Sequence, residues 1–387
     1  MPAESMPEPG TPGDPEPGTP GEPGTSVPSH RAKGRRRRTR STRNKALLIT
    51  AWTAAGIVVL GGTGVGILYF KLNSNLKTVD INQALGTDRP LKVDNGSENI
   101  LVLGSDTRSG SNKSLGGGTD DGSARSDTAM IVHIYEGHKK ASVVSIPRDT
   151  LVPRPSCTDA KGVTHDAATS VMFNSAYSTG GAACAVKTVE SMTGVRMDHY
   201  IEVDFSGFQK LIDDLDGVPV TTTKDIKDAD SHLNLKAGTH TLDGRQALGL
   251  VRTRHGVGDG SDLGRIQLQQ AFIKALVNQV KHIGLLSSPT KLYDLADTAT
   301  KTVTTDSDLG SVRDLASFAN GLKGISSSHM NMVTMPVQYD SANANRVLVD
   351  EAKAKLVWKA LKDDQAIPKA ATKGTATGTA KGVVSGS

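Results

Sequence analysis

Hydrophobic positions along the chain fall into two patterns: short unbroken apolar runs, and longer stretches in which apolar residues recur at helical spacing. Residues 99–103 form the first unbroken run, the signature of a strand buried on both faces. Residues 128–135 and 141–146 repeat it on either side of a polar turn at 136–140, and further strands are predicted at 200–205, 218–221 and 330–335. Helical spacing is plain over 206–215, where Phe208, Leu211, Ile212 and Leu215 share a face. It is plain again over 263–282, where Ile266, Phe272, Ile273, Leu276, Val277 and Val280 form a stripe. Other helices are predicted at 183–192, 245–250, 290–302, 309–322 and 351–361, whereas 150–182, with its turn-rich FNSAYSTGG, reads as irregular. Strands alternating with helices predict an α/β domain built on one central sheet.

The two ends depart from this pattern. Residues 1–30 are mostly Pro, Gly, Glu and Thr in an imperfect repeat with almost nothing to bury, so disorder is expected. Their glycines keep no three-residue period, which excludes collagen. Residues 31–45 carry nine basic side chains and no acidic one, and residues 46–70 carry no charge at all. As a helix rising about 1.5 Å per residue, 46–70 would reach roughly 37 Å, enough to cross a bilayer core of about 30 Å. A cleaved signal peptide is the competing reading, but the apolar run is long for one and no small-residue cleavage site follows it. With the basic cluster on the N-terminal side, the span places 1–45 in the cytoplasm and everything beyond it outside, at the cell membrane. The expected order is then a disordered cytoplasmic tail with its basic run (1–45), a transmembrane helix (46–70), a linker (71–97), an extracellular domain (98–365) and a small, polar, disordered tail (366–387).

This topology changes the meaning of the charge. The basic character of the chain belongs to the juxtamembrane run, because residues 71–387 hold 36 basic and 35 acidic side chains. Such a run orients a span and touches anionic lipid rather than binding nucleic acid. The two cysteines, Cys157 and Cys184, both fall in the outer part, where an oxidising space favours a disulfide between them.

Candidate chemistry concentrates in residues 251–270, VRTRHGVGDGSDLGRIQLQQ. Arg252, Arg254 and Arg265 surround a short Gly/Asp loop that supplies Asp259 and Asp262, and Gln269 follows Arg265 by one helical turn. Guanidinium groups present fixed N–H forks that match phosphate oxygens. The plainer reading of such a segment is a solvated basic face. Three strand ends argue against it, each delivering an Asp/Arg pair to one edge: Asp106 with Arg108, Arg125 with Asp127, and Arg148 with Asp149. Carboxylates and arginines without a Cys/His cluster suit a hard cation, Mg²⁺ or Mn²⁺, shared with substrate phosphates, and Asp106 and Asp127 are the candidate ligands. His255 stands alone in a polar loop and reads as solvated, and no G-x-S-x-G is present. Phosphoryl transfer is the chemistry that remains, and outside the membrane a lipid-linked pyrophosphate is a better donor than ATP.

In this order GSDTR, RSDT, SIPRDT, FNSAY and R-x-R…D-x-GR-x-x-x-QQ resemble the LytR–CpsA–Psr family, single-span cell-wall ligases of Gram-positive bacteria, over residues 98–285. The resemblance implies an α/β/α sandwich with a central mixed sheet and a hydrophobic channel for a polyprenyl tail. It implies transfer of a glycan phosphate from polyprenyl pyrophosphate to a peptidoglycan muramic acid hydroxyl. Asp106 and Asp127 resemble the family's Mg²⁺ ligands. Arg125, Arg148, Arg252, Arg254 and Arg265 resemble its pyrophosphate clamp with Gln269 beside it, and Arg108 joins the substrate-binding set. Asp262 joins Arg148, Arg252, Arg254 and Arg265 as catalytic candidates. Members often carry an arginine before the final Gln-Gln; Leu268 stands there, so that contact is missing. The loop between Arg108 and Arg125 is also longer than usual. A polyprenyl-phosphate-binding regulatory module without ligase activity is the alternative reading.

Overall fold

The computed structural model describes residues 50, 63–106, 125–284 and 288–386. The chain divides into two compact units, Met1–Gly61 and Gly62–Ser387, and the fold is that of the second. The expected span at 46–70 lies mostly outside the described residues; its described part, Thr50 and residues 63–70, is helical. Among the described residues no helix is long and apolar enough to cross a membrane.

Seven strands form the central sheet: β1 (Lys77–Val79), β2 (Glu98–Asp106), β3 (Arg125–Ile134), β4 (Ala141–Ile146), β5 (His199–Asp204), β6 (Val303–Asp306) and β7 (Met330–Thr334), in the order β1-β6-β5-β2-β3-β4-β7. The pairs β2/β3, β3/β4 and β5/β6 are antiparallel, whereas β1/β6, β2/β5 and β4/β7 are parallel, so the sheet is mixed. Successive residues of a strand face opposite sides. Leu101, Leu103, Ala129, Ile131, Val144 and Ile146 pack with Val186 and Val189 of helix α1 (Phe173–Thr193) and with Val357 and Trp358 of the last long helix, Glu351–Lys362. The alternate residues Ile100, Val102, Val132 and Ile134 pack on Phe318 and Leu322 of the helix Val312–Leu322. Both faces of the central strands are therefore dry, which is why they read as unbroken apolar runs rather than alternating ones.

A second core lies beside the sheet. It joins Val218 and Val220, Ile212 of helix α2 (Phe205–Asp214), Leu250 of helix α3 (Gly244–Arg252), and Leu268, Phe272 and Ala275 of helix α4 (Asp262–His282). Leu268 is thus a core residue.

Two expectations are corrected. Residues 150–182 are not irregular: Thr150–Arg154 and Ala168–Met172 are strands of a four-stranded sheet, and FNSAYST forms the first half of α1, which kinks at Gly180 (φ −145°, ψ 26°) and Gly181 (φ 66°, ψ −150°). The kink lets the chain pass the disulfide between Cys157 and Cys184, whose Cα atoms are 5.3 Å apart; a Cβ on Gly180 would sit 2.1 Å from the Cys184 sulfur. The tail 366–387 is not disordered through Gly386 either. Val384–Gly386 pairs antiparallel with Val220–Thr222, and Ala380, Val383 and Val384 are buried. Its small residues are a steric requirement. A Cβ on Gly378 would meet the backbone N of Gly264 at 2.1 Å, and the Gln267 amide donates to the Gly378 carbonyl at 2.9 Å.

This tail is expected to stabilise the domain. Ending the chain at residue 365 removes the buried Val383 and Val384 and exposes the residues they cover, a loss of about 3 kcal/mol or more at roughly 1.5–3 kcal/mol per buried side chain. Gly378→Val should have a similar effect by forcing the tail away from α4. Urea denaturation of both variants is the measurement, and midpoints equal to the parent's would show that the tail lies on the domain without holding it.

Candidate active site

The C-terminal ends of β2 and β4 and the start of β3 meet at one edge of the sheet, and the local sequence fixes what each presents. Gly104 pairs with Thr128 and Ser105 with Ser126, so Asp127 is the extra residue of a β-bulge, which re-aims its side chain. Arg148 follows Pro147 at the end of β4, in a turn closed by Thr150, whose N–H and hydroxyl both donate to the Pro147 carbonyl at 3.1 and 2.7 Å. A capping box of Asp243 and Gln246 starts α3, which ends on Arg252. Buried Asp228 then accepts from the backbone N–H groups of Arg254 and His255 at 2.8 and 3.0 Å, fixing the chain beyond the helix. Ser261 caps α4, placing Asp262 and Arg265 in its first turn. One turn on, the Gln269 amide donates to the Thr128 hydroxyl (3.0 Å) and the Val251 carbonyl (2.9 Å), tying α4 to β3 and α3.

Two carboxylates hold the arginines together. Asp262 Oδ1 accepts from Arg254 Nη2 at 2.8 Å and lies 2.5 Å from Arg265 Nη2 and 3.8 Å from Arg148 Nε. Asp127 Oδ1 accepts from Arg148 Nη1, while Arg265 Nη2 also donates to the Asp127 carbonyl at 2.9 Å. Arg252 stacks over the Phe205 ring, 4.9 Å from its centroid. Burial opposes the charge on Asp127, but Arg148, Arg265 and Arg252 outweigh it and hold its pKa below the ordinary carboxylate value. Burial also opposes the charge on Arg148, yet Asp127, Asp262 and Asp149 raise its pKa. For Arg265, with a side chain 5% exposed, burial prevails over Asp262 and Asp127 and lowers the pKa. The group stays a cation, since guanidinium does not deprotonate in proteins.

The cluster is not saturated by its own members. Nε of Arg148, Arg254 and Arg265 and Oδ2 of Asp262 are buried with no hydrogen-bond partner among the described residues. An unmade bond to a buried group costs about 1–3 kcal/mol, and more for a charged one. Several buried donors and one carboxylate oxygen without hydrogen-bond partners thus lie in one place.

Arg148, Arg254, Arg265, Asp127 and Asp262 are therefore brought together, with Gln269 as a structural tie. Arg252 and Arg254 do not share an extended segment: Arg252 closes a helix and Arg254 lies past its cap. Asp106 is buried at the end of β2, opposite Arg125 in register; Arg108 and the side chain of Arg125 lie outside the described residues. Asp259 accepts from the N–H and hydroxyl of Ser261 and so shapes the loop, and His255 is exposed, 3.6 Å from Asp230. Sequence reading missed Asp228, for which no motif speaks. It also missed a buried unit in which Tyr177 and Tyr200 each donate to Glu202 at 2.6 Å. Burial, then the charge of Glu202, push the Tyr177 phenol well up, so it remains a donor; Ser105, next to Asp106, donates to it at 3.4 Å. The residues that could take a cation are Asp106 and Asp127, hard oxygen donors on adjacent strands. No group of three or more His, Cys, Asp or Glu able to hold a metal occurs among the described residues. Two carboxylates still fit Mg²⁺, which keeps waters and completes its shell with substrate phosphate.

The sequence profile of the LytR_cpsA_psr family matches residues 68–363. Over 308 residues the chain is 31% identical to the cell wall biosynthesis protein LcpA of Corynebacterium glutamicum, a match covering 73% of this chain and 58% of that relative. It is 30% identical over 343 residues to TagT of Bacillus subtilis strain 168, the polyisoprenyl-teichoic acid–peptidoglycan teichoic acid transferase, covering 86% of this chain and 98% of TagT. A solved structure of TagT bound to LIIa-WTA superposes with a TM-score of 0.54 at 26% identity, covering 74% of this chain and 98% of that one.

The Asp127 carboxylate carries a pH signature. Its folded pKa is lowered, so its contribution to stability is complete above the ordinary value of 3.8 and is lost as pH falls through the folded pKa. Asp127→Asn should be less stable than the parent by about 2 kcal/mol near neutrality. That difference should shrink as pH drops below about 3.8. Paired urea titrations near pH 6 and pH 3 measure it; a difference that does not change with pH would mean the arginines leave this carboxylate unperturbed.

Proposed function

The chain belongs to the LytR_cpsA_psr family, and from that premise we propose that it is a membrane-anchored, extracellular phosphotransferase. It moves the glycan phosphate of a polyprenyl-pyrophosphate-linked anionic polymer, such as a teichoic acid, onto a muramic acid hydroxyl of peptidoglycan. The observation that carries this reading is the set of guanidiniums converging on Asp262, whose buried Nε–H groups make no hydrogen bond. The name of TagT supports the substrate class, and that of LcpA a role in cell wall biosynthesis.

In this reading Arg148, Arg254 and Arg265 receive the diphosphate on their open N–H groups, with Arg252 at the rim and the α4 N-terminus adding its partial positive charge. Asp106 and Asp127 would hold Mg²⁺ or Mn²⁺, which supplies further neutralisation of phosphate charge when bound. Asp262 Oδ2 takes the proton of the acceptor hydroxyl. The acceptor oxygen forms a bond to the phosphorus that carries the glycan, the bond from that phosphorus to the bridging oxygen breaks, and polyprenyl phosphate leaves with the electron pair. With water as acceptor the same step is a pyrophosphatase side reaction. The N-terminal span keeps the domain beside its lipid substrate.

Turnover of the full chain in detergent, with Mg²⁺, tests this: labelled glycan phosphate should move from a polyprenyl pyrophosphate donor to a glycan-strand acceptor. Arg254→Lys and Arg265→Lys keep the charge and lose the fork, and each should lower turnover by about 10²- to 10³-fold. Near-parental activity in both would mean the arginines decorate a solvated surface. A binding or regulatory module needs the arginines but has no use for a divalent metal. Full cellular function of Asp106→Ala and Asp127→Ala would favour that alternative over transfer.

A further inference from the structure

The arginine cluster opens on one side into a cleft of about 360 Å³, whose far wall is a hairpin that no family motif marks. Its strands are Val337–Tyr339 and Val347–Val349, with Tyr339 opposite Val347, and the second strand pairs in parallel with Thr150 and Leu151. The hairpin is thus hydrogen-bonded to the segment directly after Arg148 and Asp149, and the Val347 N–H reaches the Asp149 carbonyl at 3.5 Å. Its loop is stiffened from within: Asp340 N–H donates to the Arg346 carbonyl (3.0 Å), Arg346 N–H to the Asn343 carbonyl (2.9 Å), and Ala342 N–H to the Asp340 carboxylate (2.9 Å). Whatever the hairpin displays is held at a fixed distance from the phosphate-binding arginines.

It displays an aromatic ring and a cation. Tyr339 is 50% exposed at the cleft wall, and Arg346 lies beside it, 3.8 Å from Asp149, whose other oxygen is 3.6 Å from Arg148 Nε. Across the cleft stand Arg254 and Asp262, and among the buried atoms without partners are Nε of Arg148 and of Arg254 and Oδ2 of Asp262. The lining residues thus combine donors and an acceptor without hydrogen-bond partners, one half-exposed aromatic ring, and three arginines against two aspartates. Hydroxyl groups, which donate and accept at once, answer the first two, a ring with an apolar C–H face answers the third, and a negative substituent answers the charge excess.

The geometry points to a sugar subsite. The cleft between the arginine cluster and the 337–349 hairpin binds a pyranose-type ring bearing an anionic group, with Tyr339 as its stacking face and Arg346 as its anion contact. This rests on reading the arginines as a diphosphate site, since it is the diphosphate that places the ring. The ring belongs either to the donor's glycan or to the acceptor strand, which share this chemistry.

Binding to the full chain in detergent separates the possibilities. Three probes are used: polyprenyl pyrophosphate without sugar, the same lipid carrying its first sugar units, and a soluble peptidoglycan oligosaccharide. Tyr339→Ala and Arg346→Gln should each weaken binding of one of the two sugar-bearing probes by about tenfold, while Tyr339→Phe keeps it. A loss on the lipid-linked sugar assigns the subsite to the donor, and a loss on the oligosaccharide assigns it to the acceptor. Unchanged binding of both sugar probes, or an equal loss on the sugar-free lipid, overturns the subsite while leaving the diphosphate reading standing. Failure of the parent protein to bind the sugar-free lipid is a different result, and it removes the proposed function along with the subsite.

Discussion

One carboxylate makes the cluster possible. Two guanidiniums held roughly 5 Å apart repel by about 3 kcal/mol at an effective dielectric near 20, and here several are gathered in one partly buried place. Asp262 stands between Arg254 and Arg265 and within reach of Arg148, while Asp127 answers Arg148 from the other side. A buried charge left without its partner costs about 3–5 kcal/mol, so these acids are as necessary to the folded site as the arginines they hold. Asp262 satisfies two arginines through one oxygen and leaves the other unpartnered, so the device that assembles the cluster also supplies its acceptor atom.

The rest of the fold keeps that arrangement still. A bulge turns Asp127 toward Arg148, Asp228 holds the chain at Arg254, and Gln269 ties α4 to both neighbours. The C-terminal tail lies against the start of α4 at Gly264, one residue before Arg265, and its contact depends on two glycines that leave no room for a side chain. A transition state gains most from donors that need no rearrangement as charge develops, and donors tied down this way meet that condition. The same rigidity extends to the hairpin wall, whose backbone is paired to the strand that follows Arg148.

The sequence by itself determined the elements whose signal is local. Apolar runs at 99–103, 128–135 and 141–146 fix strands buried on both faces, Asp106, Asp127 and Arg148 fall at one edge because those three strands alternate in direction, and the R-x-R…DLGR stretch marks out the arginines that gather beside them. Tertiary structure decided whatever depends on residues far apart in the chain. Residues 366–386 look structureless because they are small and polar, yet they are small so that Gly378 can touch Gly264 and end as a strand against Val220–Thr222. FNSAYST reads as turn because its helix is bounded by Gly180 and Gly181, whose purpose is clearance for a disulfide formed with Cys157. Tyr339 and Arg346 carry no motif, since their meaning comes only from the pairing of Val347 with Thr150, and Leu268 shows itself a member of a second core only once that core is assembled. Close packing and strand pairing act across the chain, whereas periodicity and composition are properties of neighbours, and that difference in range divides what could be read from what had to be seen.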